Sequence, residues 1–263
     1  MDLKLKNRVA IVAGASQGLG KATAQALARE GVRTALCARN TDALRSAADE
    51  INRWGAGEAW PVKCDVTQEH EILDLVHTVA AAWGGVDILV NNAGGPPTGL
   101  FEDLSPAAWR QAIELNLLST VHLSRTVVPH MKRGNWGRIV NITSIAAKQP
   151  IPGLMLSNAT RAGVLGFAKT LSRELAPENI TVNSVCPGYT RTGRLIELAE
   201  ATARRESVDV DLVYRRWEEA IPMKRLGKPE ELAALIAFLC SEQAGYITGC
   251  AIQVDGGFIQ SIF

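Results

Sequence analysis

Apolar residues along this chain fall into two alternating rhythms. Short runs rich in valine, isoleucine and alanine, bounded by glycine or polar residues, predict strands over 8–13, 34–38, 59–64, 87–91, 138–143, 181–185 and Ala251–Val254. Between them, helical spacing of the apolar positions predicts helices over 18–30, 42–54, 68–83, 105–132, 155–176 and 229–240. Runs such as Val9-Ala10-Ile11-Val12 and Ile88-Leu89-Val90 have no polar face, which suits strands covered on both sides. Regular alternation of strand and helix places the strands in one parallel sheet. The expectation is a doubly wound α/β fold over residues 1–263, with seven strands, helices on both faces and ligand sites at the carboxyl ends of the strands.

Composition narrows the function classes. A single core spans 263 residues only near its upper size limit, but no Pro/Gly/Ser-rich stretch, charge block or low-complexity run marks a boundary. The 28 basic and 27 acidic residues leave a net charge of +1, so there is no basic excess for a nucleic acid. The apolar run at 9–15 is far short of the ~20 residues of a membrane span, and no secretory pattern precedes it, so a cytoplasmic protein is expected. Cys37, Cys64, Cys186, Cys240 and Cys250 contain no C-x-x-C pair, which predicts reduced, buried thiols rather than disulfides or a metal site.

The first strand runs into Gly14-Ala15-Ser16-Gln17-Gly18-Leu19-Gly20 and then directly into a helix. A glycine-rich backbone lets a pyrophosphate come close, and the unpaired N–H groups and positive end of the helix then face it. Past the second strand, Arg39 stands where a carboxylate would otherwise receive ribose hydroxyls, which suits a 2′-phosphate. Its alternative is a solvated surface arginine. Asp65 and Val66 follow the third strand, with Asp65 and Thr67 both able to cap the next helix. Asn91-Asn92-Ala93-Gly94 ends the fourth strand. Further on come Asn141-Ile142-Thr143-Ser144, Pro187-Gly188, Ile247-Thr248-Gly249 and Val254-Asp255-Gly256-Gly257.

Together these segments, spread over nearly the whole chain, resemble the short-chain dehydrogenase/reductase family, including members similar to the 3-oxoacyl-carrier-protein reductases. The resemblance implies a Rossmann-type sheet that binds a dinucleotide, with NADP(H) preferred over NAD(H). It assigns the loop Gly14, Ser16, Gln17, Gly18, Leu19 and Gly20 to the phosphates and Asp65 to the adenine amino group. Asn92 would tie neighbouring strands together, Ala93-Gly94 would let the chain pass close to the cofactor, and Pro187-Gly188 with Thr190 and Thr192 would flank the nicotinamide and phosphates. Where the family usually carries threonine before the glycine loop this chain has Ala13, so a bracing hydroxyl is missing.

The same resemblance implies a catalytic set: Asn116 holding a relay water, Ser144 polarising a carbonyl oxygen, then a tyrosine thirteen residues later and a lysine four beyond that on one helix face. Here those two positions hold Ser157 and Arg161. A serine hydroxyl titrates far above a phenol, whose reference pKa is ~10, and an arginine with a pKa above ~12 takes no part in proton transfer. Arg161 is left as a cofactor clamp. Tyr189 and Lys148 are possible substitutes as proton donor, and His70, His77, His122 and His130 are read as structural or solvated. Three readings stay open: a divergent oxidoreductase on a carbonyl or hydroxyl substrate, a catalytically silent dinucleotide-binding sensor, subunit or scaffold, and altered chemistry such as a lyase or isomerase. The segment 190–221 is helical and charged and could act as a lid, with Arg191, Arg194, Arg204 and Arg205 able to attract an anionic substrate or carrier. Helix faces at 157–175 and the apolar tail at 258–263 resemble subunit contacts, implying a homo-tetramer or homo-dimer.

Overall fold

The computed structural model describes residues 1–53 and 57–262. Trp54, the last residue of the helix predicted over 42–54, and Phe263, the end of the apolar tail, lie outside the described residues. In chain order the elements begin β1 Val9–Ala13, α1 Gly18–Arg29, β2 Arg33–Ala38, α2 Thr41–Asn52, β3 Glu58–Lys63, α3 Glu69–Trp83 and β4 Ile88–Asn91. They continue with α4 Pro106–Ile113, α5 Ser119–Arg133, β5 Gly137–Ile142, α6 Met155–Leu175, β6 Ile180–Pro187, α7 Gly193–Glu206, α8 Val210–Ala220, α9 Pro229–Leu239 and β7 Ala251–Val254. The strands form one seven-stranded parallel sheet in the order β3-β2-β1-β4-β5-β6-β7.

Two cores explain why the sheet is covered on each side. Residues of β1 alternate, so Ala10 and Val12 pack with Leu27, Leu44 and Ile236 of α1, α2 and α9. Val9, Ile11 and Ala13 pack on the other face with Leu75, Leu123 and Ala168 of α3, α5 and α6. All five β1 residues are buried, which is why their sequence carries no polar alternation. The sheet order reverses at β1, which pairs with β2 on one side and β4 on the other. That reversal opens the crevice in which ligands of doubly wound sheets bind.

Strand limits differ from the sequence expectation by one residue at most ends, and by two at the end of β6, which runs on to Pro187. The larger difference lies in the run 105–132. It is not one α-helix: a π-helical turn over Glu114–Leu118 separates α4 from α5. Such turns insert an extra residue and often mark functional sites, and Asn116 stands at the centre of this one. Ser105 caps α4 by accepting from the Ala108 amide at 3.2 Å. The expected lid is two helices, α7 and α8, joined by a short link around Val208, which packs with Ala199 and Val213.

Among the described residues, no helix is long and apolar enough to cross a membrane, and no cluster of three His, Cys, Asp or Glu side chains could hold a metal ion. The five cysteines are free; four are buried, but Cys250 is exposed, against the expectation that all are buried. Cys250 directly precedes β7, an edge strand covered on one side only.

Candidate functional site

A cavity of about 530 Å³ opens at the carboxyl ends of β1, β2, β3, β4, β5 and β6 and runs under α7. Its floor is the turn between β1 and α1. Gly14 has φ +59°, and a Cβ there would lie 2.6 Å from Asn92 Nδ2. A Cβ on Gly20 would lie 2.3 Å from the Gly14 carbonyl oxygen, so this position admits no side chain without moving backbone. The first turn of α1 contains no acidic residue, and its N-cap residue Gln17 makes no side-chain cap bond. Its N–H groups therefore remain available to an anion.

Asn92 braces the glycine loop from the end of β4. Its Nδ2 donates to the carbonyls of Ala13 and Gly14, 3.2 Å each, tying the end of β4 to the glycine loop. Ala93 and Gly94 continue along the cavity wall. Buried Asn91 does similar work one layer down: its Nδ2 donates to Asn141 Oδ1 at 2.8 Å, which fixes the ends of β4 and β5 together. Sequence reading singled out Asn92 and passed over Asn91, although an asparagine closing a wholly apolar strand is a sign of such a tie.

At the β2–β3 side, Arg39 is exposed and lines the cavity. Asn40 beside it caps α2 by accepting from the Ala43 amide at 3.0 Å. Asp65 and Val66 also line the wall. Neither Asp65 nor Thr67 caps α3, whose N-cap residue is Gln68, without a side-chain bond. Asp65 Oδ1 instead accepts from the Thr67 amide at 3.0 Å and its hydroxyl at 2.8 Å, so the two side chains bond each other in the turn before the helix.

At the β5–α6 side the cavity is lined by Ser144, Ser157 and Arg161. Ser144 Oγ accepts from the Ala146 amide at 3.1 Å, so its side chain also shapes the turn after β5. Ser157 and Arg161 lie one turn apart on α6, and Arg161 Nε donates to Ser157 Oγ at 3.2 Å. Arg161 Nη1 donates to the carbonyls of Ile142 at 3.2 Å and Thr143 at 2.9 Å, which holds the guanidinium against the end of β5. Burial, with the charge of Arg194 as the next cause, pushes the Arg161 pKa down to about 10. That is lower than an arginine's ordinary value, yet the group stays a cation at neutral pH.

Asn116 and Gly20 do not line the cavity. Asn116 lies behind its wall: Nδ2 donates to the Gly94 carbonyl at 2.9 Å, and its buried Oδ1 has no protein partner. Pro187, Gly188 and Thr190 close the far side, where Thr190 Oγ1 donates to the Gly188 carbonyl at 3.2 Å. Thr192 caps α7 by accepting from the Leu195 amide at 3.3 Å, and its methyl lies 3.5 Å from where a Cβ on Gly18 would stand. Helix α7 thus starts directly over the glycine loop.

Of the substitutes considered for a proton donor, Lys148 turns away: its Nζ donates to the Ala251 carbonyl at 3.1 Å, and it does not line the cavity. None of the four histidines lines it either. Tyr189 does, with its ring stacked on Trp217 at 4.7 Å and edge-on to Phe258 at 5.3 Å. Burial raises its pKa.

Comparison with known proteins agrees with this architecture. A family model described as enoyl-(acyl carrier protein) reductase matches residues 14–259. The 3-oxoacyl-[acyl-carrier-protein] reductase FabG of Aquifex aeolicus is 35% identical over 258 residues, covering 98% of this chain and 99% of that protein. The chain belongs to the short-chain dehydrogenase/reductase family. Within the family, the L-sorbose reductase of Gluconobacter frateurii, solved with NADPH and L-sorbose, superposes with a TM-score of 0.94 at 35% identity over 100% of both chains. A 7α-hydroxysteroid dehydrogenase solved with NADH and a 7-oxo bile acid superposes at 0.89 with 33% identity, covering 100% of this chain and 98% of that one.

Proposed function

We propose that this short-chain dehydrogenase/reductase is a nicotinamide-dinucleotide-dependent oxidoreductase acting on a small carbonyl or hydroxyl substrate, with an altered proton-transfer centre. One observation carries the reading. A single cavity connects the side-chain-free cradle of Gly14 and Gly18 to the hydroxyls of Ser144 and Ser157. The cradle fits a pyrophosphate because Gly14 and Gly18 line the cavity without side chains and the first N–H groups of α1 carry no side-chain cap. Ser16, Gln17, Gly18 and Leu19 would hold the phosphates, and exposed Arg39 would meet a 2′-phosphate, so NADP(H) is preferred over NAD(H). Asp65 and Val66 would flank the adenine, and Asn92, Ala93, Gly94, Pro187, Gly188 and Thr190 the nicotinamide end. When bound, that cofactor supplies or accepts hydride.

The chain's own residues then orient and polarise. Ser144 and Ser157 present hydroxyls to the substrate oxygen, while Arg161, fixed by two strand carbonyls, clamps the nicotinamide ribose. Ser157 and Arg161 stand where the family carries tyrosine and lysine. Asn116 props the Gly94 loop through its amide and leaves Oδ1 to order a relay water. The lid over 190–221 closes on the whole, and the chain assembles as a homo-dimer or homo-tetramer, which sedimentation would check.

A second reading, a silent dinucleotide binder, is favoured by the phenols of the cavity lining: among the described residues Tyr189 alone supplies one, and burial raises its pKa. NADPH titration followed by turnover across a broad carbonyl and alcohol panel separates the two. Binding with oxidation or reduction supports the enzyme; binding with no turnover leaves the silent binder; no binding removes both.

A further inference from the structure

Among Arg191, Arg194, Arg204 and Arg205 of the lid segment, three pair with acids and do not line the cavity. Arg191 pairs with Glu218 at 3.6 Å, Arg204 with Glu200 at 3.9 Å, and Arg205 with Glu206 at 3.0 Å. Arg194 alone of the four lines the cavity. Its Nη2 donates to the Pro96 carbonyl at 2.7 Å, and a Cβ on Gly95 would fall 2.6 Å from its Nε, so the guanidinium lies against bare backbone of the loop after β4. Its acidic partner, Glu197 at 3.1 Å, is on the outer face, with a side chain 66% exposed.

Arg161 approaches the same space from α6 with no acid at all among its hydrogen-bond partners. Its Nε and Nη1 are committed to neutral oxygens, which leaves Nη2 as its remaining donor nitrogen. Arg194 is close enough for its charge to weaken the protonated form of Arg161. Asp65 is the only carboxylate lining the cavity among the described residues, and it is held by Thr67 at the β3 end. Arg161 has no acidic partner and Arg194 only the exposed Glu197, so an anion received between the two guanidiniums would lower the cost of confining their charge. The walls beside them, Leu115, Ile151 and Leu154, are apolar.

We propose that the substrate enters through a carboxylate received by Arg194, with Arg161 supporting it by charge, beside the Ser144 and Ser157 hydroxyls. This rests on the oxidoreductase reading above and names its substrate class: an oxo acid or hydroxy acid whose apolar body packs on Leu115, Ile151 and Leu154. Arg194 exchanges a neutral carbonyl for a charge-assisted bond, the stronger partner.

Calorimetry tests this without turnover. NADPH is titrated first; failure to bind removes the dinucleotide reading and this proposal with it. On the NADPH-loaded protein, phenylpyruvate and 2-oxo-4-methylpentanoate should each bind about tenfold or more tightly than their methyl esters. Arg194→Gln should abolish that preference while NADPH affinity stays within about twofold, and Arg194→Lys should restore part of it. Three results would overturn the proposal while leaving the dinucleotide reading intact: equal binding of acids and esters, no binding of either, or loss of NADPH affinity in Arg194→Gln, which would make Arg194 a cofactor contact.

Discussion

At the ends of β1 and β4 the cavity is made of backbone, whereas at the end of β5 and along α6 it is made of side chains. The first region has little freedom: Gly14 and Gly20 admit no Cβ without collision, and Asn92 holds both strands' ends together. In the second, Ser144, Ser157 and Arg161 hang from a strand end and a 21-residue helix that stand without them. Backbone-built recognition is preserved by the fold itself, while side-chain chemistry can be exchanged with the frame intact. On the proposed reading, this is how a chain with Ser157 and Arg161 at the proton-transfer positions still matches the family model from residue 14 to residue 259.

That contrast breaks most visibly if chemistry can be returned to the side-chain region alone. Ser157→Tyr combined with Arg161→Lys should raise kcat/KM for a carbonyl substrate by about 10²–10⁴, the usual worth of a positioned general acid. NADPH affinity should change little, because the cradle is untouched. Steady-state kinetics beside NADPH titration read both quantities. No gain with binding intact would mean that Ser157 and Arg161 do not face the reacting carbon.

The converse change, in the backbone region, should strike binding rather than chemistry. Gly20→Ala forces a Cβ to within 2.3 Å of the Gly14 carbonyl oxygen, against backbone that cannot swing aside. Overpacking of this kind costs about 1–3 kcal/mol, which is roughly a ten- to hundredfold loss of NADPH affinity if it is taken from the bound loop. Unchanged affinity would show that the loop is looser than its contacts imply. Asn92→Ala removes a donor shared by two carbonyls and should lower stability by about 1–2 kcal/mol, seen as a lower Tm, with a smaller loss of binding.

The sequence displays these two regions unequally, for physical reasons. Strand limits were legible because β1 and the run Ile88-Leu89-Val90 of β4 are buried on both faces and lack polar residues, and the glycine loop because its spacing is itself the structure. The π turn around Asn116 was not legible: one extra residue inside a helix leaves apolar spacing almost unchanged. Nor was the inward turn of Arg194, since it shares a charged helix with Arg204 and Arg205, and only the position of Gly95 across the cavity sets it apart. The capping role expected of Asp65 or Thr67 failed because the two bond each other before the helix starts, a choice that residue preference does not resolve.

The smallest expected effect lies at the rim of the backbone region, where a side chain does contribute. Arg39 is exposed, so its attraction to a 2′-phosphate is screened by water and salt and is worth about 1 kcal/mol. Arg39→Ala should therefore weaken NADPH about fivefold and leave NADH unchanged, with the difference shrinking as ionic strength rises. An equal loss for both dinucleotides would place Arg39 on the adenine ring or ribose instead. No loss for either would return it to solvent, and the cradle would then discriminate between the two cofactors by backbone shape alone.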